Sequence, residues 1–359
     1  MVNIKTVLLF TIIISEVFAI FYVISLPIIH YKLSSYTKNI INGTENTKEI
    51  PEYIFNITRP SDNPKIIFEL IPNTTVLYDG TVEKLSRITH ININSDGFRD
   101  KEYSLAKPNN TFRIIILGDS QTFGWGFELE ETYSKLLEKK LNSLTHEVNF
   151  EVLNFAVPGY NTLDEVEFFK DKGLKYEPDF VIIGYIHNDM IDNFELSNLY
   201  NKMVDEKLKN ISAKNISDSE YNFMVINITF EVVVKFENQV FNNKTLFDDY
   251  WEKIVEIPLN ELNNITKEKN ISIIIVTLTY NLPKNQIIRL ENLTEKYNWH
   301  LIDMNDVFLK YNFFDLTVGK LDTHWNPFAS KLIGEQIYNY LIKNQLVPLD
   351  LKHLSENQK

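Results

Sequence analysis

Apolar and polar positions along this chain follow two regimes, and the change comes at Phe112. From there on, short apolar runs of strand length alternate with segments in which apolar residues recur every three or four positions, the signature of a parallel sheet covered by helices on both faces. The runs are Phe112–Leu117, Glu151–Phe155, Phe180–Tyr185, Ile271–Leu278 and His300–Ile302. Between the first two, Tyr133, Leu136, Leu137, Leu141 and Leu144 sit at helical spacing, which predicts a β-α-β unit. Phe247, Tyr250, Trp251, Ile254, Leu262 and Ile265 repeat the helical period ahead of the fourth run, with Pro258 as an expected kink. A last helix is expected from Pro327, its stripe made by Leu332, Ile333, Gln336, Ile337, Tyr340 and Leu341. The fold class this predicts is α/β, a parallel sheet covered by helices on both faces.

Upstream of Phe112 the pattern differs. Lys65–Ile71 and Ile88–Ile93 read as short strands, the second ending in the turn Asn94-Ser95-Asp96-Gly97, so residues 61–110 are expected to form a small β-rich lead-in. Before it comes a polar linker, residues 34–60, and before that the run Thr6 to Ile29, broken chiefly by Ser15, Glu16, Ser25 and Pro27. That run is long enough to span a bilayer core. A cleaved signal peptide has a shorter apolar core, about 7–15 residues, and ends in an A-x-A-like site, which is missing here. Residues 1–33 are therefore expected to be an uncleaved transmembrane anchor, with Glu16 as its cost. The main domain is expected over 111–345, with an insertion or cap at 195–245 that carries the apolar run Phe223–Val234, and a tail at 346–359.

Composition narrows the function classes. A chain of 359 residues that is 44% hydrophobic can bury one large core. Its net charge of -12 and the lack of a Lys/Arg cluster argue against nucleic acid or an anionic membrane surface as the main partner. With no cysteine, disulfides, thiolate catalysis and Cys-based zinc sites are excluded, and a nucleophile must be an oxygen or an amine. There is no H-E-x-x-H and no close His/carboxylate cluster, so no metal or other cofactor is expected. The Asp-rich stretches read as solvated surface. Eleven N-x-S/T sequons, at Asn42, Asn56, Asn73, Asn109, Asn210, Asn215, Asn227, Asn243, Asn264, Asn270 and Asn292, all follow the apolar run. Asn and Ser/Thr frequencies alone give roughly four or five. The flanking charges do not orient the anchor, because Lys5 and the terminal amine balance Lys32 and Lys38, but the sequon excess points to an exported, glycosylated body.

Four segments carry candidate chemistry. Gly118-Asp119-Ser120 follows the first run of the sheet, at the carboxyl end of a strand, where open α/β sheets bind ligands, and the helix start behind it favours a nearby anion. Gly159 leaves the second strand as either a turn glycine or an N–H donor free of a blocking side chain. Asn188, after the third strand, is either a turn former or a side-chain donor to an oxyanion, and His187 beside it is expected only to line the pocket. Among seven histidines, His324 lies just before the last helix with Asp322 two residues upstream, near enough for a carboxylate to fix the imidazole tautomer. Serine, oxyanion donors and a late Asp/His pair are the parts that acyl transfer at a serine requires.

These segments resemble the conserved blocks of the SGNH/GDSL hydrolase superfamily of esterases, lipases and carbohydrate acetylesterases, from about Asn94 to Leu341. The resemblance rests on Arg113-Ile-Ile-Ile-Leu-Gly-Asp-Ser-Gln-Thr-Phe-Gly124, Val152-Leu-Asn-Phe-Ala-Val-Pro-Gly-Tyr-Asn-Thr162 and Asp322-Thr-His-Trp-Asn-Pro327. It implies a three-layer α/β/α sandwich of flavodoxin-like type and a serine esterase with Ser120 as nucleophile, His324 as base and Asp322 as orienting acid. It also implies an oxyanion hole of Ser120 N–H, Gly159 N–H and Asn188. Two departures stand out. Only Thr323 separates acid and base where the family usually has two residues, which leaves open a backbone carbonyl as orienter, and Gly184 lies further from Asn188 than the third block expects. The substrate expected for an anchored, extracytoplasmic member is an ester-bearing glycan or lipid, O-acetyl groups first. The rival readings are a surface-glycan O-acyltransferase with the same triad and a non-catalytic cell-envelope scaffold.

Overall fold

The computed structural model describes residues 57–79, 88–145, 147–196, 198–199, 202–203, 232, 235–319 and 322–350. The expected anchor, most of the linker, most of the 195–245 insertion and the last nine residues of the tail lie outside them. Among the described residues no helix is long and apolar enough to cross a membrane.

Among the described residues four strands precede the main sheet: β1 (Thr58–Pro60) pairs antiparallel with β2 (Phe68–Leu70), and β3 (Thr74–Asp79) with β4 (Ile88–Ile93). β1 begins inside the stretch read as linker, and of Lys65–Ile71 only the centre is strand. In β4 the exposed and buried residues alternate, so one face of this lead-in packs Ile91 and Ile93 into the core beside Phe68, Leu70 and Phe98.

The main sheet has five strands, β5 (Thr111–Gly118), β6 (Asn149–Asn154), β7 (Phe180–Tyr185), β8 (Ser272–Thr277) and β9 (His300–Asp303), in the order β6-β5-β7-β8-β9, all parallel. Counted along the chain this order is 2-1-3-4-5, the flavodoxin-like arrangement. β5 is buried along its whole length because helices cover both faces. Ile114 and Ile116 face one apolar cluster, and Ile115 and Leu117 the other. Arg113 is the charged exception in this strand. Its Nε donates to Glu151 at 2.7 Å and its terminal nitrogens to the carbonyls of Ser104, Leu105 and Tyr176, so the buried charge is paired and hydrogen-bonded.

One layer is built from Tyr133, Leu137 and Leu141 of a helix over Tyr133–Asn142, with Ala329, Ile333, Ile337 and Leu341 of the last helix, Pro327–Lys343. The first of these ends two residues before Leu144, which is 43% exposed and outside the stripe assigned to it. On the opposite face lie helices over Thr162–Asp171, Ile257–Glu268 and Lys284–Tyr297. Pro258 sits in the first turn of Ile257–Glu268, and the preceding Trp251–Glu256 widens into a π-helix, the local consequence of a residue that cannot donate back along the helix.

Candidate active site

β5 delivers the chain to Asp119, whose Oδ1 accepts the Gln121 N–H at 2.9 Å and so starts a one-turn helix, α1 (Ser120–Phe123). Gly124, at φ 84°, ends it in the left-handed region. This turn needs room on the strand side. Gly118 and Gly184 are direct neighbours in the β5–β7 register, and a Cβ on either would lie within 2.5 Å of Thr122 Oγ1, which pairs at 2.9 Å with the Tyr133 hydroxyl. Gly184 therefore leaves the serine turn the room that a side chain would fill.

Across the site, His324 lies in a loop ahead of the last helix, held by Val318 N–H donating to its carbonyl at 2.8 Å and by a bridge between Thr317 and Trp325. Asp322 Oδ1 accepts both the His324 backbone N–H at 3.0 Å and Nδ1–H at 2.6 Å. The tautomer this fixes leaves Nε2 as acceptor, and Nε2 stands 2.9 Å from Ser120 Oγ. The partner of His324 Nδ1 is thus the Asp322 carboxylate and not a backbone carbonyl. Burial alone would raise the Asp322 pKa, but the charge of His324 and its two hydrogen bonds outweigh it and hold the carboxyl below its ordinary value. Ser120, Asp322 and His324 are all buried, and the Trp125 ring flanks the imidazole at 6.2 Å between centroids.

The other two turns emerge beside Ser120 because β6 and β7 are the neighbours of β5. Val157 N–H donates to the Gly118 carbonyl at 3.0 Å, which sets the Gly159 turn against the end of β5. Gly159 has φ 84°, and its carbonyl accepts from Asn193 Nδ2 at 2.8 Å. The Asn188 turn is locked by Ile186 N–H to Asp189 Oδ2 at 2.7 Å and by Thr162 N–H to the Asp189 carbonyl at 3.0 Å. Asn161 joins both turns, capping the helix that starts at Thr162 and donating from Nδ2 to the Ile191 carbonyl at 2.7 Å.

His187 is buried, its N–H on Thr279 Oγ1 at 2.8 Å and its ring 6.3 Å from that of Phe241. His90 pairs with Glu128, and His300 meets the Tyr340 hydroxyl.

The expectation that the Asp-rich stretches are solvated fails around this site. Asp100, Asp119, Asp164, Glu165 and Asp189 are all buried. Burial pushes the Asp164 carboxyl up to about 7 against the pull of Asn193 and Asn161. The Glu165 carboxyl is also raised well above its ordinary value, first by burial and then by Asp189, Asp119 and Asp164. The spacing Asn161…Asp164 was a visible clue, since a cap followed three residues later by an acid is a helix-start signal. Arg99 gave no such signal. It is fully buried, donates to the carbonyls of Phe123, Gly124, Phe127 and His90, and so ties the lead-in to the loop that carries Trp125. Burial lowers its pKa to about 10.

Comparison with curated proteins finds no match. Among solved structures, the chain is similar to the psychrotrophic esterase EstA from Pseudoalteromonas sp., at 17% identity over 67% of this chain and 100% of that one, with a TM-score of 0.38. It is similar also to the lipase/acylhydrolase from Enterococcus faecalis, at 15% identity over 65% and 96% with a TM-score of 0.38. A mutant of Axe2, an acetyl-xylooligosaccharide esterase from Geobacillus Stearmophilus, gives 15%, 67% and 96%, with a TM-score of 0.41. The model for GDSL-like Lipase/Acylhydrolase matches residues 114–337, more than half of the chain, from within β5 to within the last helix. The chain belongs to that family, and it is a serine esterase of the SGNH/GDSL type, acting on ester bonds.

Proposed function

We propose that Ser120 is the nucleophile, His324 the general base and Asp322 its orienting acid, and that Ser120 N–H, Gly159 N–H and the Asn188 amide bind the oxyanion. The observation that carries this reading is the Asp322–His324–Ser120 relay, at 2.6 and 2.9 Å. His324 Nε2 takes the Ser120 proton as Oγ attacks the ester carbonyl, and the three donors hold the negative charge on the carbonyl oxygen. The imidazolium then returns the proton to the leaving alcohol as the ester bond breaks. Water, deprotonated by the same nitrogen, attacks the acyl-enzyme, and the acid departs while Ser120 recovers its proton.

The substrate in this reading is an O-acyl, first an O-acetyl, ester on an extracytoplasmic glycan or lipid, met by a catalytic body tethered through the Thr6–Ile29 run. Two observations support that placement. The run has the length of a membrane span, and the sequon asparagines that the structure describes, Asn73, Asn109, Asn243, Asn264, Asn270 and Asn292, are all exposed. The division into anchor, linker, lead-in, hydrolase domain with its 195–245 insertion, and tail belongs to the same reading. The non-catalytic scaffold is set aside by the esterase assignment.

The test is intact-mass labelling of the full chain in detergent with a fluorophosphonate, comparing wild type with Ser120→Ala and His324→Ala, followed by acetate release from acetylated glycans. One adduct, lost in both variants, is the expected result. A wild type that stays unlabelled overturns the residue assignment. Acetyl transfer to a glycan acceptor without free acetate would replace the hydrolase with a transferase.

A further inference from the structure

We propose that Gln121 is a positioning residue that sets the distance between nucleophile and base, an inference that rests on the Ser120–His324 assignment above. Ser120 and His324 are brought together from 204 residues apart, on a one-turn helix and an irregular loop. Neither element is stiff by itself. A single turn has almost no internal hydrogen bonding, and a loop keeps its shape only through its partners. The residue after the nucleophile bonds the residue after the base: Gln121 Oε1 accepts the Trp325 backbone N–H at 2.9 Å.

Both ends of this link are fixed. Gln121 is buried and its own N–H is held by Asp119 Oδ1, while the Trp325 ring is moored by Nε1–H donating to the Leu278 carbonyl at 2.8 Å, at the end of β8. A backbone N–H can only donate, so the side-chain amide must present its oxygen, and the orientation follows from chemistry. The link runs alongside the Ser120–His324 hydrogen bond and, unlike it, is not broken when the proton moves. Gln121 therefore holds the two catalytic elements in register through the acyl-enzyme cycle, when Ser120 Oγ is esterified and no longer donates to Nε2.

The experiment compares Gln121→Met, which keeps length and loses the acceptor, Gln121→Asn, which keeps the amide and falls short of Trp325, and Gln121→Glu, which keeps both length and acceptor. Hydrolysis of p-nitrophenyl acetate and second-order fluorophosphonate labelling are measured for each. Losing one well-placed hydrogen bond predicts a fall of about tenfold in kcat and in labelling rate for the Met and Asn variants, with KM unchanged. Gln121→Glu recovers most of the loss. Met and Asn variants at the wild-type rate, or a Glu variant as slow as they are, overturn the proposal; if the Met variant fails to fold, the Asn and Glu pair decides. A wild type that neither labels nor hydrolyses indicts the serine–histidine assignment instead.

Discussion

Asp322→Asn separates charge from geometry in the triad. In most such triads an asparagine can turn its NH2 toward the imidazole and trap the wrong tautomer, at a cost of roughly 10⁴ in kcat. Here one oxygen of Asp322 accepts two donors, the His324 backbone N–H at 3.0 Å and Nδ1–H at 2.6 Å. An asparagine that presented NH2 would face the backbone N–H donor to donor, inside a buried site. Its oxygen is thus held where Asp322 Oδ1 was, and the tautomer survives. What is lost is the attraction between carboxylate and developing imidazolium, about 1 kcal/mol in bulk water and about 4 kcal/mol at an effective dielectric near 20 for unit charges about 4 Å apart. The burial of both residues favours the upper part of that range, about 3–4 kcal/mol, which corresponds to a fall of roughly 10²–10³-fold in kcat. Asp322→Ala removes the acceptor altogether and is expected to cost roughly 10⁴. Steady-state hydrolysis of p-nitrophenyl acetate by both variants, with circular dichroism to confirm folding, reads the difference. Equal losses in the two would refute the argument that the backbone N–H holds the tautomer, and a wild-type rate for either would remove Asp322 from the mechanism.

Three further outcomes are expected. Gly184→Ala puts a methyl group 2.5 Å from Thr122 Oγ1 and 2.8 Å from the Tyr133 hydroxyl, so the serine turn must shift; activity is expected to fall more than stability, and a fully active variant would show that the turn has slack. Arg99→Met leaves four carbonyls without their shared donor, and breaking such a buried charged group costs about 3–5 kcal/mol, a drop of roughly 10 °C in Tm by calorimetry. An unchanged Tm would mean that the lead-in is not pinned to the site through this residue. The Asp164 carboxyl titrates near 7 in the folded protein against 3.8 ordinarily, so between about pH 4 and 7 the unfolded chain loses a proton that the native state keeps. Stability then falls as pH rises through that window, by about 4 kcal/mol at most from this group, and Asp164→Asn should flatten the slope in urea melts at pH 5 and 7.5. Parallel slopes for variant and wild type would argue that the proton resides elsewhere.

The sheet was legible because a parallel strand covered on both faces must be apolar along its length, and Phe112–Leu117, Phe180–Tyr185 and Ile271–Leu278 each show it without tertiary information. The reactive segments were legible for a related reason: ligands meet such a sheet at the carboxyl ends of its strands, so Ser120, Gly159 and Asn188 could be placed from where the apolar runs stop. Helix ends were read less well. Leu144 continues the apolar period, yet the helix stops at Asn142, where its side-chain amide turns to the Phe150 carbonyl and so hands the chain toward β6. Charge was read least well. Asp164, Glu165 and Asp189 look like surface in a one-dimensional pattern, because burial depends on what packs over a residue from elsewhere in the chain. Composition, period and turn signals thus determined the α/β class, the strands and the residues available for acyl transfer. Only the tertiary structure decided that the Asp322 carboxylate rather than a carbonyl meets His324 Nδ1, that Arg99 ties the lead-in to the Trp125 loop and that Gln121 bonds the Trp325 N–H, since side-chain hydrogen bonds, whether within a loop or between distant segments, leave no periodic trace in the sequence.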